Sequence, residues 1–355
     1  MKVLVMADIS SPHTLRWINA LKERGLETWV LSLEQPDGPV ENLMQIKTAI
    51  RSTKFRYILN LRPVKKAIED INPDLLNPHF AQNYGLLAVL SAAGRPIFLS
   101  TWGSDLLVIP RKDRIREAIT RWILNKSDKI LVDALLMRDA LFKLSVPPHK
   151  ITVMPLGVER DVRLREVRKP PEDPPLLLCT RRLEPDMDPL TILKAARLLH
   201  ERGIAFRLLF TSRGKLEIEL KDKAREWGIA EDVDFTGWLS RDELIETISN
   251  AHYFLSASLT DSTSVSLLEA MALGAFPIVT DIPGNREWIV DGLNGYLFPP
   301  GDSGALADRI VMALENPELV ERARTLNRKL IMERADWEKN MDTVVETMKA
   351  LVRGR

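Results

Sequence analysis

Short apolar runs of strand length alternate with stretches of helical period along almost the whole chain, and few folds accept that alternation. Val3-Leu-Val-Met6 is followed by a loop, then by Thr14 to Gly25 at helical period, then by Glu27-Thr-Trp-Val-Leu-Ser-Leu33. Strand, helix closed by glycine, strand is a βαβ opening. The same pattern predicts strands at Asp74-Leu-Leu76, Ile97 to Thr101, Ile130-Leu-Val132 and Ile151 to Met154, with helices over 84–93 and 114–125. Four prolines in six residues then break it within Arg168 to Pro175, where no regular element fits. Beyond this linker the alternation resumes. Strands are expected at Leu176 to Cys179, Phe206 to Phe210, Val233 to Phe235, Tyr253 to Leu255 and Phe276 to Thr280, and helices at 190–202, 216–227 and 265–273. This is an α/β chain of doubly wound parallel sheets covered on both faces. The domains run over 1–165 and 166–335, and in 336–355 the stretch Trp337 to Leu351 is an amphipathic helix.

Two domains also suit 355 residues, too many for one ordinary core. The single cysteine, Cys179, leaves no internal disulfide and no cysteine-rich metal site. Met1 to Ala7 stops at Asp8, too short for a signal peptide, and no apolar run approaches a membrane span. The expected location is therefore cytoplasmic, extending to the inner face of the cytoplasmic membrane. The near-zero net charge hides an asymmetry, with 23 cations against 16 carboxylates over residues 1–160 and 27 against 33 afterwards. Lys47 to Lys66 holds seven cations and no acid, mixed with Phe55, Tyr57 and Leu61. A second basic group is Arg111, Lys112, Arg114, Arg116 and Arg121. Such blocks serve as solvated helix faces or as attraction to anionic membrane and lipid phosphate. Nucleic acid is disfavoured, because the rest of the chain is not basic.

The richest local chemistry lies in Ser258-Leu-Thr-Asp261-Ser-Thr-Ser-Val-Ser-Leu-Leu-Glu269-Ala-Met-Ala-Leu-Gly274. A strand precedes it and a helix begins within it, so Ser262, Thr263 and Ser264 bring amides and hydroxyls to a helix N-terminus, a place for phosphate or sugar hydroxyls. Glu269 stands on an otherwise apolar face, where a carboxylate is costly to bury unless a ligand or a cation satisfies it. Two readings stay open here. Either the acids meet a polyhydroxylated ligand, or Asp261 caps the helix and Glu269 pairs with an Arg or Lys.

This segment, with the Pro-x-Val strand at 277–279, Asp281-Ile-Pro-Gly284 and Asp291-Gly-Leu-Asn-Gly295, resembles the C-terminal half of retaining family-4 glycosyltransferases. The likeness is dense from Leu176 to Leu306. It implies the GT-B architecture, with two facing doubly wound Rossmann-like domains and a terminal helix crossing back to the first. It also implies roles. Glu269 resembles the acid that holds the donor ribose, and Asp261 the acid near the transferred sugar, one methylene shorter than the usual Glu. Arg182 falls on the family's diphosphate-binding Arg, whereas the usual Lys is Met187; Arg181, Arg213 and Lys215 are the substitutes at hand. Trp238 falls where the family holds the base. In the first domain Trp102-Gly-Ser-Asp105 resembles the motif whose histidine meets the transferred sugar, with Trp102 in the histidine's place, a variant subgroup. His79 and His13 sit at expected strand ends, His79 among the catalytic candidates and His13, Trp102 and Asp105 on the acceptor side.

The resemblance implies a retaining glycosyltransferase that moves a sugar from a nucleoside-diphosphate sugar to a saccharide or lipid-linked acceptor, with no cofactor. The five histidines show no zinc-like spacing, so no metal is expected. The alternatives are a catalytically weak sugar-nucleotide-binding subunit, suggested by Met187 and Trp102, and a GT-B nucleotide-sugar 2-epimerase. A Rossmann dehydrogenase is disfavoured, because no Gly-x-Gly-x-x-Gly follows a strand.

Overall fold

The computed structural model describes residues 1–47, 56–167, 170 and 174–354. Two compact units emerge, Met1–Pro155 with Glu338–Arg355, and Leu156–Trp337. The first unit opens with β1 (Lys2–Met6), α1 (Pro12–Glu23), β2 (Glu27–Ser32) and β3 (Leu43–Gln45). Next come α2 (Arg56–Leu59), α3 (Leu61–Ile71), β4 (Leu75–Pro78), a π-helical turn (Phe80–Gly85), α4 (Leu86–Ser91) and β5 (Phe98–Ser100). It closes with α5 (Ser104–Leu107), α6 (Arg114–Lys126), β6 (Lys129–Val132), α7 (Leu135–Lys143) and β7 (Ile151–Val153).

All its strand pairs are parallel. The order is β3-β2-β1-β4 in one piece and β5-β6-β7 in another, and the parallel bridges Leu76–Ile97 and His79–Ser100 join β4 to β5. Chain direction across the sheet reverses between β1 and β4. Buried Leu4, Met6, Leu31, Leu76, Leu99 and Ile130 from the strands pack against Val64, Ile68, Leu87 and Ile123 from the helices. Sequence periodicity foresaw most of these elements but not β3, α2, α3, α5 or α7. In α3, Val64, Ala67, Ile68 and Ile71 are buried at helical spacing while Arg62, Lys65 and Lys66 are exposed, so this part of the basic block is a helix face. Residues 48–55 of that block lie outside the described residues, as do 168–169 and 171–173 of the proline-rich linker.

The second unit contains α8 (Arg160–Arg163), β8 (Leu176–Cys179), α9 (Pro189–Glu201), β9 (Arg207–Phe210), α10 (Glu217–Glu226), β10 (Val233–Phe235) and α11 (Arg241–Ser249). There follow β11 (Tyr253–Ser256), α12 (Val265–Leu273), β12 (Phe276–Thr280), α13 (Pro283–Arg286), β13 (Tyr296–Phe298), α14 (Ser303–Leu314) and α15 (Pro317–Arg334). Its sheet is parallel in the order β10-β9-β8-β11-β12-β13, the Rossmann order, with the reversal between β8 and β11. Residues 156–165, which the sequence reading places in the first domain, group with this unit. Val158 and Val162 are buried among Leu178, Phe254 and Met271, and Val158 bridges to Asp336. The last helix, α16 (Trp337–Arg353), groups from Glu338 onward with the first unit, where Arg24 meets Asp342 at 2.7 Å and the Glu338 carbonyl at 2.7 Å.

Candidate active site

In an open parallel sheet, ligands sit beyond the carboxyl ends of the strands where the order reverses. In the second unit those ends carry Thr180-Arg181 after β8 and Ser258 to Ser264 after β11. The cap of α12 is Ser264, whose hydroxyl accepts from the Leu267 amide at 3.3 Å. Asp261 is therefore not the cap. Its carboxylate takes the Arg181 guanidinium at 2.5 Å, and the same guanidinium donates to the Ser264 hydroxyl at 2.9 Å and the Ser266 hydroxyl at 3.3 Å. The loop is held close on its other side too. A Cβ on Gly284 would stand 2.3 Å from the Ser262 carbonyl oxygen, so only glycine lets α13 approach.

Arg181 is thus half-buried against this loop, while Arg182, the position that the resemblance names, is exposed. Met187 is buried, with its sulfur 3.2 Å from Arg181 and 3.3 Å from the Ser258 hydroxyl. Around Arg181 several buried polar atoms have no partner among the described residues: Arg181 Nε, Thr180 Oγ1, Thr211 Oγ1 and Ser212 Oγ. They end the neighbouring strands β8 and β9. Each unpaired group costs about 1–3 kcal/mol, which makes this edge a receptive surface for a ligand rich in oxygens. Arg213 lies over Gly237, where a Cβ would stand 2.8 Å from its Nε, and the next residue, Trp238, is 65% exposed. Lys215 is exposed and pairs with Glu184 at 3.2 Å.

Glu269 is buried on α12, and of the two readings left open by sequence the cation is present. Arg241 meets its carboxylate at 2.5 Å and reaches Glu159 at 3.2 Å, with Asp161 at 3.9 Å. Sequence reasoning missed Arg241. It stands 28 residues upstream at the start of another helix, so no local pattern marked it. The only signal was the need of Glu269 for a counter-charge.

At the reversal in the first unit, His13, His79 and Trp102 come together although 89 residues of chain separate the outermost two. Exposed His13 stacks on Trp102 with ring centres 6.0 Å apart, and Trp102 lies 5.2 Å from buried His79. Trp17 meets His79 edge-on at 5.4 Å and donates to the Asn77 side chain at 2.9 Å. Burial pushes the His79 imidazole down to about 3, so it is neutral at physiological pH. Directly after it Phe80 takes a left-handed backbone (φ 73°), strain of a kind that gathers at functional sites. The fourth candidate here, Asp105, is fully buried. It accepts from the Ala81 and Trp102 amides at 3.1 and 3.0 Å, which holds the turn carrying Trp102 and presents no carboxylate to solvent. Burial pushes it up to about 6. A polar cluster at the end of β2 also escaped sequence reasoning: Glu34 pairs with Arg56 and accepts from the Tyr84 hydroxyl, which itself accepts from the Leu33 amide at 2.8 Å. Among the described residues no three His, Cys, Asp or Glu side chains converge as a metal site would need.

Residues 162–330 match the family described as Glycosyl transferases group 1, and residues 2–134 the family described as Glycosyl transferase 4-like. The chain is 33% identical over 175 residues to EpsD of Bacillus subtilis (strain 168), covering 49% of this chain and 45% of that protein. It is 27% identical over 188 residues to the amylovoran biosynthesis glycosyltransferase AmsK of Erwinia amylovora, covering 51% and 46%. The matched stretch thus spans about half the length of these curated relatives. Among solved structures, sucrose-phosphate synthase from Thermosynechococcus elongatus superposes with a TM-score of 0.86 at 15% identity over 100% of both chains. Anabaena HepE in complex with UDP-glucose gives 0.80 at 15% identity over 99% of this chain and 100% of that one. At such identities the likeness shows the fold alone, and the fold is GT-B, with two Rossmann-like domains.

Proposed function

We propose, from the premise that this chain belongs to the GT-B glycosyltransferases of the group 1 and 4-like type, that it moves a sugar from a nucleoside-diphosphate sugar to a hydroxyl acceptor with retention at the anomeric carbon. The observation that carries the reading is the carboxyl ends of β8, β9 and β11, which carry Arg181, Asp261, the loop 262–264 and the hydroxyls of Thr180, Thr211 and Ser212 that have no partner among the described residues. As the bond from the anomeric carbon to the phosphate oxygen breaks, negative charge grows on the departing diphosphate. Fixed cations and amide dipoles lower the barrier most where such charge develops. In this reading Arg181 supplies the nearest cation, with Arg182, Arg213 and Lys215 around it. Glu269, steadied by Arg241, takes the ribose hydroxyls, and Trp238 packs on the base. The acceptor oxygen bonds to the anomeric carbon on the face the diphosphate leaves, and its proton passes to the departing phosphate oxygen. No protein base and no metal are required by this scheme.

On the acceptor side we assign His13, His79 and Trp102 to the transferred sugar and its acceptor, with Asp105 positioning Trp102. A cell-envelope saccharide or a lipid-linked sugar is the acceptor class in this reading, supported by the amylovoran-biosynthesis relative. Action at the inner face of the membrane belongs to the same proposal. Met187 in place of a lysine favours one second reading, a subunit that binds donor but transfers slowly. A thermal-shift screen of nucleoside-diphosphate sugars tests the first step, because a ligand bound only by the folded state raises its melting temperature. One sugar nucleotide should stabilise the chain and then yield a product with the donor's anomeric configuration by NMR. Stabilisation without transfer would favour the second reading, and no stabilisation by any donor would sink both.

A further inference from the structure

Helix α6 carries a surface that the proposed reaction does not use. Thr120, Ile123 and Leu124 turn one side of it into the core of the first unit. On the other side Ile115, Ala118, Ile119 and Trp122 follow at i, i+3, i+4 and i+7, a single line along the helix. All four are exposed, Ile115 at 72%, Ile119 at 42% and Trp122 at 41%. A surface helix ordinarily turns polar side chains outward. This one is apolar on both sides, and single exposed apolar residues elsewhere do not make such a line.

The stripe is bordered by positive charge. Arg111 and Lys112 stand just before α6, Arg114 and Arg121 run beside the stripe, and Lys126 follows one turn after Trp122, all exposed. The segment's two acids are engaged within the helix, Asp113 with Arg116 and Glu117 with Arg121 at 2.7 Å. Residues 111–126 therefore hold six cations against two carboxylates. An apolar line with a tryptophan, edged by arginine and lysine, complements a surface that is anionic at its top and apolar just beneath. Among the described residues no helix is long and apolar enough to cross a membrane, so contact of this kind would be made from the surface.

We propose that α6 docks on an anionic lipid bilayer, with Ile115, Ile119 and Trp122 at the boundary of the acyl chains and the cations on headgroup phosphates. This stands whether or not the glycosyltransferase reading holds. It also differs from the sequence expectation, which rested on Lys47 to Lys66. In that block the exposed Ile58 and Leu59 are adjacent rather than in line, and α4 lies between, packed against both α3 and α6.

The test is co-sedimentation of the full chain with phosphatidylglycerol-containing vesicles and with pure phosphatidylcholine vesicles, at low and high salt. Binding should require the anionic lipid and weaken with salt. Ile115→Ser/Ile119→Ser, with wild-type circular dichroism and melting temperature, should lower the vesicle partition by about tenfold or more. The tryptophan emission shift on vesicle binding should shrink in Trp122→Phe. Equal binding to neutral vesicles, or none to either, would overturn the proposal. So would wild-type binding by the serine variant, or loss of binding only in Lys65→Ser/Lys66→Ser, which would assign docking to α3. Failure to bind vesicles combined with a concentration-dependent dimer dispersed by Ile119→Ser would make the stripe a self-association face instead.

Discussion

Arg181, named from sequence only as a substitute cation, is the side chain that pins the loop after β11. Its two terminal nitrogens reach Asp261, Ser264, Ser266 and the Met187 sulfur, and its Nε is left unpartnered among the described residues. A lysine at 187 would place a second ammonium close to this guanidinium. Methionine fills the volume without that repulsion, and in the proposed reaction the single guanidinium serves both the loop and the leaving group. Arg181→Ala should accordingly weaken binding of a nucleoside diphosphate by about 2–3 kcal/mol, the range for a lost charged hydrogen bond. Binding of the bare nucleoside should change little, and Arg182→Ala should have the smaller effect on both. Isothermal titration of the two variants checks this. A larger diphosphate loss in the Arg182 variant would return the role to the position named by the resemblance.

At the scale of elements, the second unit's site depends on how separate helices share charge. Arg241 begins α11, Glu269 lies inside α12, and Glu159 and Asp161 stand at the start of α8. One guanidinium therefore ties three helices together, and its position is fixed by a capping box in which Ser240 and Glu243 satisfy each other's backbone amides. Removing one partner of a buried ion pair leaves the other charge without compensation. Arg241 is 38% exposed on its side chain, so solvent offsets part of the loss. Arg241→Ala should destabilise the chain by about 2–3 kcal/mol in urea denaturation, and Arg241→Ala/Glu269→Gln should recover part of it. A single variant within about 0.5 kcal/mol of wild type would show that solvent already stabilises Glu269.

For the molecule as a whole, two buried groups of the first unit make opposite contributions to acid stability. His79 is held at about 3 in the folded chain against an ordinary 6.5. Between those values only the unfolded chain binds the proton, so this contribution is lost as pH falls from 6.5 towards 3. Asp105 is raised to about 6 from 3.8, so from pH 6 down to 3.8 the folded chain takes up the proton first and gains stability. Over the shared window the two effects oppose each other, each with a slope of up to about 1.4 kcal/mol per pH unit. His79→Phe should therefore gain stability on acidification from pH 6 to 4 relative to wild type, and Asp105→Asn should lose it. Urea midpoints measured across that window decide the matter. Parallel pH profiles for wild type and both variants would mean that neither group titrates abnormally.

The α/β class, the parallel sheets and most strand positions followed from the chain itself, because a parallel sheet buried on both faces needs continuous apolar strands and periodic helices, and both leave a local signature. The extents of α12 (Val265–Leu273) and β12 (Phe276–Thr280) were legible to the residue for that reason. The chain also named Asp261, Glu269 and Trp102 as candidates through the family resemblance, and His79 through its place at a strand end. Tertiary structure alone decided what these residues touch. Glu269 turns out to face Arg241, Asp261 faces Arg181 while Ser264 caps the helix, and Asp105 spends its carboxylate on backbone amides. Apart from the cap and the Trp102 amide, each of these partners comes from a different part of the chain, brought in by the fold. Local periodicity records how a segment packs, but a salt bridge between residues 28 or 80 apart depends on which strand ends lie side by side, and only the folded sheet sets that.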